Sequence, residues 1–317
     1  MKILCTIGSV FTPKAKEILS TLGQVDCLNL TQSELVEKIK NYDIIFVGLG
    51  LEVDKQVIEN GKELKVIATA TTGLDHIDIN YAKTKNIKII SLKEEVKFLN
   101  SITGTAELAF GLIIDLMRLT PAAFQSVKNY EWDRERFRGH NLSGQTLGIV
   151  GLGRLGKMMV RYGKVFGMKL IAYDPFIDDK IFSQLACRKV DFNTLLAESD
   201  IISIHVHLTD KTNNMFNKEV FNKMKKNTYL VNTSRGKIVN EDDILAVLKN
   251  KQIAGYGTDV LSGELDFNKK FFNYPLVEYA KNNNNCIIVP HIGGMTYESR
   301  EATDIFIAEK IKNNINP

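Results

Sequence analysis

Hydrophobic positions in this chain gather into short apolar runs that alternate with stretches of helical spacing. Continuous apolar runs are typical of parallel strands buried on both faces, and their alternation with helices predicts an α/β sheet. We therefore expect a small α/β domain over residues 1–98. Its predicted strands lie at 3–7, 43–47, 65–69 and 87–90.

The pattern changes at residues 100–118, which are apolar almost all round and predict a helix buried between two bodies. This helix would lead into a second domain over residues 99–291. The last helical stretch, 297–314, has no strand left to pair with there, so we expect residues 292–317 to rejoin the first domain. Six further apolar runs alternating with helical patterns predict a doubly wound sheet: 147–150, 170–173, 201–206, 229–232, 254–259 and 286–289.

A glycine motif follows the first of these runs. Gly151, Gly153 and Gly156 form a G-x-G-x-x-G between the predicted strand and a helical pattern. The first glycine permits a tight turn, the second lets a pyrophosphate approach the backbone, and the third lets the helix pack closely on the strand. The free N–H groups and the positive dipole end of that helix would face the anion.

Asp174 ends the next apolar run, at about the 20-residue spacing expected for the acid that binds an adenosine ribose. A glycine motif alone is also typical of ordinary turns. Here the strand, the helix and the acid are all in register, which favours a dinucleotide site. A carboxylate at this position repels a 2′-phosphate, so the sequence predicts NAD rather than NADP.

Composition narrows the class of protein. A length of 317 residues, with 44% hydrophobic and 25% charged residues, is typical of a soluble two-domain protein. The net charge of +4 is small and its basic residues are scattered, so we expect neither a nucleic-acid partner nor a membrane surface. The four cysteines have no metal-ligand or disulfide spacing. No signal segment is apparent, and we expect a cytoplasmic protein without a bound metal.

Polar residues stand where the strands of the second domain end, and ligands of doubly wound sheets bind at that edge. Each has an ordinary structural explanation when taken alone. An arginine there can form a structural ion pair, a loop glutamate is usually solvated, and a histidine before two glycines can cap the backbone. The residues concerned are His205, Arg235, Asp259, Glu264 and His291.

Together, these residue types indicate a specific chemistry. A glutamate hydrogen-bonded to an imidazole fixes its tautomer and stabilises its protonated form, which can then protonate a ketone oxygen while a nicotinamide delivers hydride. An arginine can hold the substrate carboxylate and polarise the carbonyl. The sequence therefore predicts an oxidoreductase.

Motifs spread over nearly the whole chain resemble those of the D-isomer-specific 2-hydroxyacid dehydrogenases, most closely the D-3-phosphoglycerate dehydrogenases. They are TTGLDHIDI, GTAELAFGLIIDLMR, LSGQTLGIVGLGRLGK, YDP, HVHLT, VNTSRGKIVNEDDILAVLKN, YGTDVLSGE and VPHIGG. The resemblance implies a Rossmann-type NAD-binding domain and a smaller flavodoxin-like substrate domain. It also implies a 2-oxo acid/D-2-hydroxy acid substrate pair and a homodimer built on segments like 100–140.

The resemblance also implies residue roles. Arg235 binds the substrate, His291 is the general acid/base and Glu264 is its partner, while Thr72 and Gly73 offer backbone N–H groups to the substrate carboxylate. The implied NAD contacts are the three motif glycines, Arg154, Leu155, Asp174, Val206, Thr233, Ser234, Arg235, Asp259, His291, Gly293 and Thr72.

Three departures from the family pattern stand out. Leu265 occupies a position where the family usually has proline, which is expected to loosen the loop after Glu264. His207 replaces another common proline and is either a substrate contact or a surface residue. The chain stops at Pro317 without a C-terminal regulatory domain, so serine feedback through such a domain is not expected.

Other functions remain open at this point. The same architecture serves as an NAD-sensing scaffold in corepressors, although this sequence has neither the low-complexity tail nor the basic arm that would favour that role. A hydroxypyruvate or glyoxylate reductase is a further alternative. Formate dehydrogenases carry glutamine where Glu264 stands, so the acid disfavours them.

Overall fold

The computed structural model describes residues 1–264 and 271–315 and divides the chain into two compact units. The first contains Met1–Ile102 and the chain from Met295 onward, and the second contains Thr103–Gly294. The boundaries expected from the sequence each lie a few residues earlier. Leu265, and with it the expected loosening of its loop, lies outside the described residues.

The first unit contains a parallel sheet in the order β2-β1-β3-β4-β5, which is the flavodoxin-like order. The sequence missed its edge strand β2 because that strand is only half-buried and alternates polar with apolar residues. The strands are β1 (Lys2–Cys5), β2 (Gln24–Cys27), β3 (Ile44–Phe46), β4 (Val66–Ala68) and β5 (Lys88–Ile90). The helices are α1 (Pro13–Ser20), α2 (Gln32–Lys38), α3 (Lys55–Asn60), α4 (Ile79–Thr84) and α5 (Val96–Leu99).

The last helix, α14 (Tyr297–Ile315), belongs to the first unit and packs against α1. Its buried residues Ile307, Ala308 and Ile311 are part of the same hydrophobic core as β1 and α1. The hydroxyl of Thr12, just before α1, donates to the buried carboxylate of Asp304 at 2.8 Å. This contact fastens the start of α1 to the middle of α14.

The second unit contains a seven-stranded parallel sheet in the order β12-β11-β10-β9-β6-β7-β8. Counted from its own first strand, this is the 3-2-1-4-5-6 Rossmann order with one added edge strand. The sequence predicted six strands and missed β8, a pair of exposed basic residues. The strands are β6 (Thr146–Val150), β7 (Lys169–Tyr173), β8 (Arg188–Lys189), β9 (Ile201–Ile204), β10 (Tyr229–Asn232), β11 (Gly255–Thr258) and β12 (Cys286–Ile288).

Helices cover both faces of this sheet, as doubly wound folds require. Their N-termini frequently carry side-chain caps, such as Asp191 before α10 and Asn240 before α12. The helices are α6 (Gly104–Arg118), α7 (Thr120–Lys128), α8 (Arg154–Val165), α9 (Asp179–Gln184), α10 (Phe192–Glu198), α11 (Lys218–Lys223), α12 (Glu241–Lys249) and α13 (Pro275–Asn282).

Helix α6 lies against β10 and β11. A Cβ atom on Gly257 of β11 would lie 3.1 Å from Leu116 of α6, so glycine lets the helix approach the sheet closely. The stretch Val96–Arg118 has the length and mean hydropathy of a membrane span, a test that buried core helices also pass. In α6 most of the apolar side chains belong to the core of the second unit.

Candidate active site

The glycine turn between β6 and α8 has the packing that its sequence predicts. Gly151 has a φ of +94°, and a Cβ atom there would lie 2.5 Å from the His205 carbonyl oxygen. A Cβ atom on Gly156 would lie 2.1 Å from the Gly151 carbonyl oxygen. A Cβ atom on Gly153 would have no heavy atom within 4 Å. The first and third glycines are therefore required by close approach, and the second faces open space.

That open space lies at the N-terminus of α8. Gly153 is the N-cap and has no side chain to satisfy the first N–H groups of the helix, and Arg154 and Leu155 form its first turn. Free N–H groups at a helix N-terminus bind phosphate groups. At the end of β10, the Thr233 hydroxyl is buried without a hydrogen-bond partner within the described parts of the chain. These features fit a dinucleotide pyrophosphate and ribose.

Asp174 follows β7 directly and is held beside the glycine turn. Its Oδ2 accepts the N–H of Leu152 at 2.8 Å, and its Oδ1 accepts the N–H of Phe176 at 2.9 Å. The two bonds fix the carboxylate at the strand end, next to the residue between the first two motif glycines. This is the position from which an acid reaches an adenosine ribose in dinucleotide-binding folds.

The turn after β10 is organised by a residue that the sequence did not single out. Asn232 is fully buried, accepts the N–H of Ser234 at 3.0 Å and donates to the Arg235 carbonyl oxygen at 2.9 Å. Ser234 in turn donates to the Ile204 carbonyl oxygen at 2.8 Å, and the Arg235 guanidinium donates to the Ser234 carbonyl oxygen at 2.7 Å. The signal available in the sequence was an asparagine at the end of the apolar run 229–232, because asparagine is disfavoured in strands.

His291 and Glu264 form a direct pair. The histidine Nδ1 lies 2.8 Å from the glutamate Oε1, and both side chains are about a quarter exposed. The backbone of His291 has a φ of +53°, in the left-handed region that few residues other than glycine adopt. Its N–H donates to the carbonyl oxygens of Asp259 and Val289 at 2.9 and 3.1 Å. Two residues far apart in sequence are thus joined, and the histidine backbone is held in a left-handed turn.

Asp259 holds the same turn through hydrogen bonds to its backbone. This buried residue follows β11, and its two carboxylate oxygens accept the N–H groups of Ile292 and Gly293 at 2.6 and 2.8 Å. Burial raises the pKa of Asp259 to about 6, and the two N–H donors and His291 only partly offset this effect.

The raised pKa of Asp259 has a consequence for stability. Because the value in the folded protein exceeds the unfolded value of about 3.9, burial of the carboxylate costs more stability as the pH rises through about 6. When the pH is lowered from about 7.5 to about 5, we expect the unfolding free energy of the wild type, relative to that of Asp259→Asn, to increase by on the order of 1 kcal/mol. Urea denaturation of the cofactor-free protein at both pH values measures it. A constant difference would contradict this assignment.

The remaining predicted residues fall in two places. In the second unit, Val206 packs beside the first motif glycine, and burial lowers the pKa of the neighbouring His205 to about 3, so that this imidazole is neutral. His207 is exposed. In the first unit, Thr72 and Gly73 lie in the loop after β4, where the Thr71 hydroxyl donates to the Gly73 carbonyl oxygen at 2.7 Å.

The structure therefore brings Asp259, Glu264 and His291 together, and Arg235 lies at the same edge of the sheet. The residue after Arg235, Gly236, contacts the loop that leads to Glu264: a Cβ atom on Gly236 would lie only 2.1 Å from the Leu261 carbonyl carbon. The turn that carries Arg235 thus packs against the loop that leads to Glu264. Among the described residues, no group of three or more His, Cys, Asp or Glu side chains is arranged to hold a metal ion.

Comparison with known proteins identifies the family. Residues 110–293 match the model of the D-isomer specific 2-hydroxyacid dehydrogenase NAD-binding domain. The D-3-phosphoglycerate dehydrogenase of Methanocaldococcus jannaschii is 37% identical, with 94% of this chain and 55% of that protein covered. The glyoxylate reductase of Thermococcus litoralis is 35% identical, with 87% and 82% covered. The chain spans about half the length of the phosphoglycerate dehydrogenases that it matches.

A solved structure of a D-lactate dehydrogenase has the same fold as this chain. The D-lactate dehydrogenase of Aquifex aeolicus, in complex with NAD and lactic acid, superposes with a TM-score of 0.83 at 27% identity, with 99% of this chain and 95% of that chain covered. The predicted fold class, a Rossmann-type domain with a smaller flavodoxin-like α/β domain, is confirmed, and so is NAD as the cofactor class. The glycine turn, the acid after β7 and the sheet order are those expected of an NAD-binding domain. The chain belongs to the D-isomer-specific 2-hydroxyacid dehydrogenases.

Proposed function

We propose that the protein is an NAD-dependent oxidoreductase that interconverts a 2-oxo acid and a D-2-hydroxy acid. One observation carries the proposal: the 2.8 Å contact between Glu264 and His291, within the unit that matches an NAD-binding domain. Because an ionised Glu264 can only accept a hydrogen bond, Nδ1 is the donor in this contact, which leaves Nε2 as the nitrogen that can exchange a proton with a substrate oxygen. This is the arrangement of a general acid/base and its orienting carboxylate.

In this proposal, protonated His291 donates its Nε2 proton to the carbonyl oxygen during reduction and recovers it during oxidation. Glu264 stabilises the imidazolium, and Arg235 binds the substrate carboxylate and polarises the carbonyl. The family resemblance makes Thr72 and Gly73 of the first unit candidate backbone N–H donors to a substrate carboxylate. NAD, when bound, supplies or accepts the hydride.

The glycine turn would hold the pyrophosphate and Asp174 the adenosine ribose. Residues Val206, Thr233, Ser234, Asp259 and Gly293 would line the rest of the dinucleotide, and the buried Thr233 hydroxyl gains a partner there. Each follows a strand of the same sheet by at most five residues, on the edge where such cofactors bind.

Two substrate classes compete. Identity of 37% favours a phosphorylated 2-oxo acid like that of the phosphoglycerate dehydrogenases, and identity of 35% to a glyoxylate reductase supports a small unphosphorylated one such as glyoxylate or hydroxypyruvate. NADH oxidation should be screened with 3-phosphohydroxypyruvate, hydroxypyruvate, glyoxylate, pyruvate and bulkier 2-oxo acids. The highest kcat/KM identifies the class. Turnover of none of them would contradict the enzyme assignment and favour an NAD-sensing scaffold.

Asp174 is expected to set cofactor choice. Substitution with alanine removes the carboxylate that repels a 2′-phosphate, so the preference for NADH over NADPH should fall by about 10-fold or more, mainly through weaker NADH binding. Titration of both reduced cofactors by nicotinamide fluorescence measures the ratio. Asp178→Ala, on the exposed cap of the next helix, serves as the control. Unchanged selectivity in Asp174→Ala would refute the ribose assignment.

We also propose a homodimer that covers part of the second unit. Helix α7 and the residues after it expose a run of large apolar side chains: Phe124, Val127, Tyr130 and Trp132. Trp132 is 88% exposed in the single chain. Apolar surface of this kind marks an interaction site in a soluble protein. Light scattering should give the mass of two chains, and a single-chain mass at micromolar concentration would contradict the dimer.

A further inference from the structure

A second carboxylate contacts the loop that carries Glu264. Glu241 lies in the first turn of α12, and its Oε1 accepts the N–H of Ser262 at 2.7 Å. Its Oε2 accepts the hydroxyl of Tyr274, which itself lies 3.2 Å from the Ser262 hydroxyl. Helix α12 is anchored in the core by three buried apolar residues. The network therefore ties a surface loop to a fixed element of the second unit.

In the described part of the loop, the two hydrogen bonds between Leu261 and Glu264 are long. The Leu261 N–H reaches Glu264 Oε2 at 3.3 Å, and the Glu264 N–H reaches the Leu261 carbonyl oxygen at 3.4 Å. On the opposite side, Gly236 packs directly on the Leu261–Ser262 peptide. That peptide is thus held between the turn that carries Arg235 and the carboxylate of Glu241. Glu264 lies two residues beyond this peptide in the chain.

We propose that Glu241 is a positioning residue, which holds the loop so that Glu264 stays in contact with His291. This inference depends on the proposed function, in which that contact sets the acid/base. Glu241 does not touch the reacting groups itself. Groups that orient a functional side chain in this way typically contribute 10- to 100-fold to activity, by analogy with the outer partners of metal ligands.

A simpler role for Glu241 would be stabilisation of α12 through the helix dipole. The first turn contains two other acids, Asp242 and Asp243, that share this role. Asp242 is exposed and has no contact with the Glu264 loop among the described hydrogen bonds, so it is the matched control. Burial and the bond to Glu241 raise the pKa of Tyr274 to about 12, so its hydroxyl remains a donor at neutral pH.

The test compares Glu241→Ala, Glu241→Gln and Asp242→Ala. We expect Glu241→Ala to lower kcat by about 10-fold with NADH affinity unchanged within about twofold, and Asp242→Ala to behave like the wild type. Glu241→Gln keeps an oxygen that accepts the Ser262 N–H, so it should recover most of the loss. In a crystal structure of Glu241→Ala, the distance between His291 Nδ1 and Glu264 Oε1 should be longer than the 2.8 Å of the wild type, because the loop that carries Glu264 is no longer held.

A double-mutant cycle separates positioning from general stability. In a Glu264→Gln background, Glu241→Ala should reduce kcat by less than about twofold, because its effect acts through Glu264. An equal loss in both backgrounds, or an unchanged distance between His291 Nδ1 and Glu264 Oε1 in Glu241→Ala, would overturn the proposal. Measuring that distance needs no turnover. If the wild type reduces no 2-oxo acid, the proposed function fails, while the distance still decides whether Glu241 positions the pair.

Discussion

His291→Asn should abolish turnover, with kcat lowered by about 10³-fold or more and NADH affinity unchanged. The loss follows from removal of the group that exchanges a proton with the substrate oxygen. Asparagine suits this position because it tolerates the left-handed backbone that His291 adopts, at a φ of +53°. The N–H bonds to the carbonyl oxygens of Asp259 and Val289 are made by the backbone and should persist.

Steady-state rates with the best 2-oxo acid and fluorescence titration of NADH measure the two quantities. His207→Asn is the matched control, because His207 is exposed, and we expect it to keep wild-type activity. That result would also settle whether this departure from the family pattern is a surface residue. Near-normal rates in His291→Asn with every reactive 2-oxo acid would remove His291 as the proton donor.

The second large effect is expected at Arg235. Substitution with lysine keeps the charge but removes the planar pair of N–H donors, so kcat/KM should fall by about 10²- to 10³-fold. The backbone of Arg235 is extended, and its carbonyl oxygen is held by Asn232, so the turn itself should be preserved. The loss should appear in both the KM for the oxo acid and kcat, since the guanidinium binds the carboxylate and polarises the carbonyl.

Lys237→Ala, an exposed cation two residues further along the same turn, serves as the charge control for Arg235→Lys. NADH affinity should change little in either variant. If Arg235→Lys retained the wild-type kcat/KM, the guanidinium would have no part in substrate recognition. If only NADH affinity fell, its role would lie with the cofactor.

Strand prediction succeeded where burial made the pattern simple. The buried parallel strands are continuous apolar runs, and a run such as β9 can be recognised without further information. Strands β2 and β8 were missed because edge strands need no apolar run: β2 is half-buried and β8 has two exposed basic residues. Local signals are also simple to recognise: the capping box of Thr31 and Glu34 at the start of α2 depends only on residues within one helical turn.

In the candidate site too, some features could be predicted from the sequence and others could not. Strand-end reasoning pointed to Glu264 and His291 because parallel strands end at one edge of the sheet. Their 2.8 Å contact, the brace that Asn232 forms under Arg235, and the bond from Ser262 to Glu241 depend on how loops pack after the strands have ended. Sequence spacing contains no measure of that packing. The positive φ of His291 is likewise imposed by the carbonyl oxygens and the carboxylate around it.

The packing of α14 against α1 determines when the first unit can finish folding during translation. The core of the first unit contains side chains from β1 and α1 and also from α14, while all of the second unit lies between them in the chain. A ribosome therefore releases the entire NAD-binding unit before Ile307, Ala308 and Ile311 become available to cover their partners near the N-terminus. The unit that is synthesised first is the last one whose apolar surface can be closed.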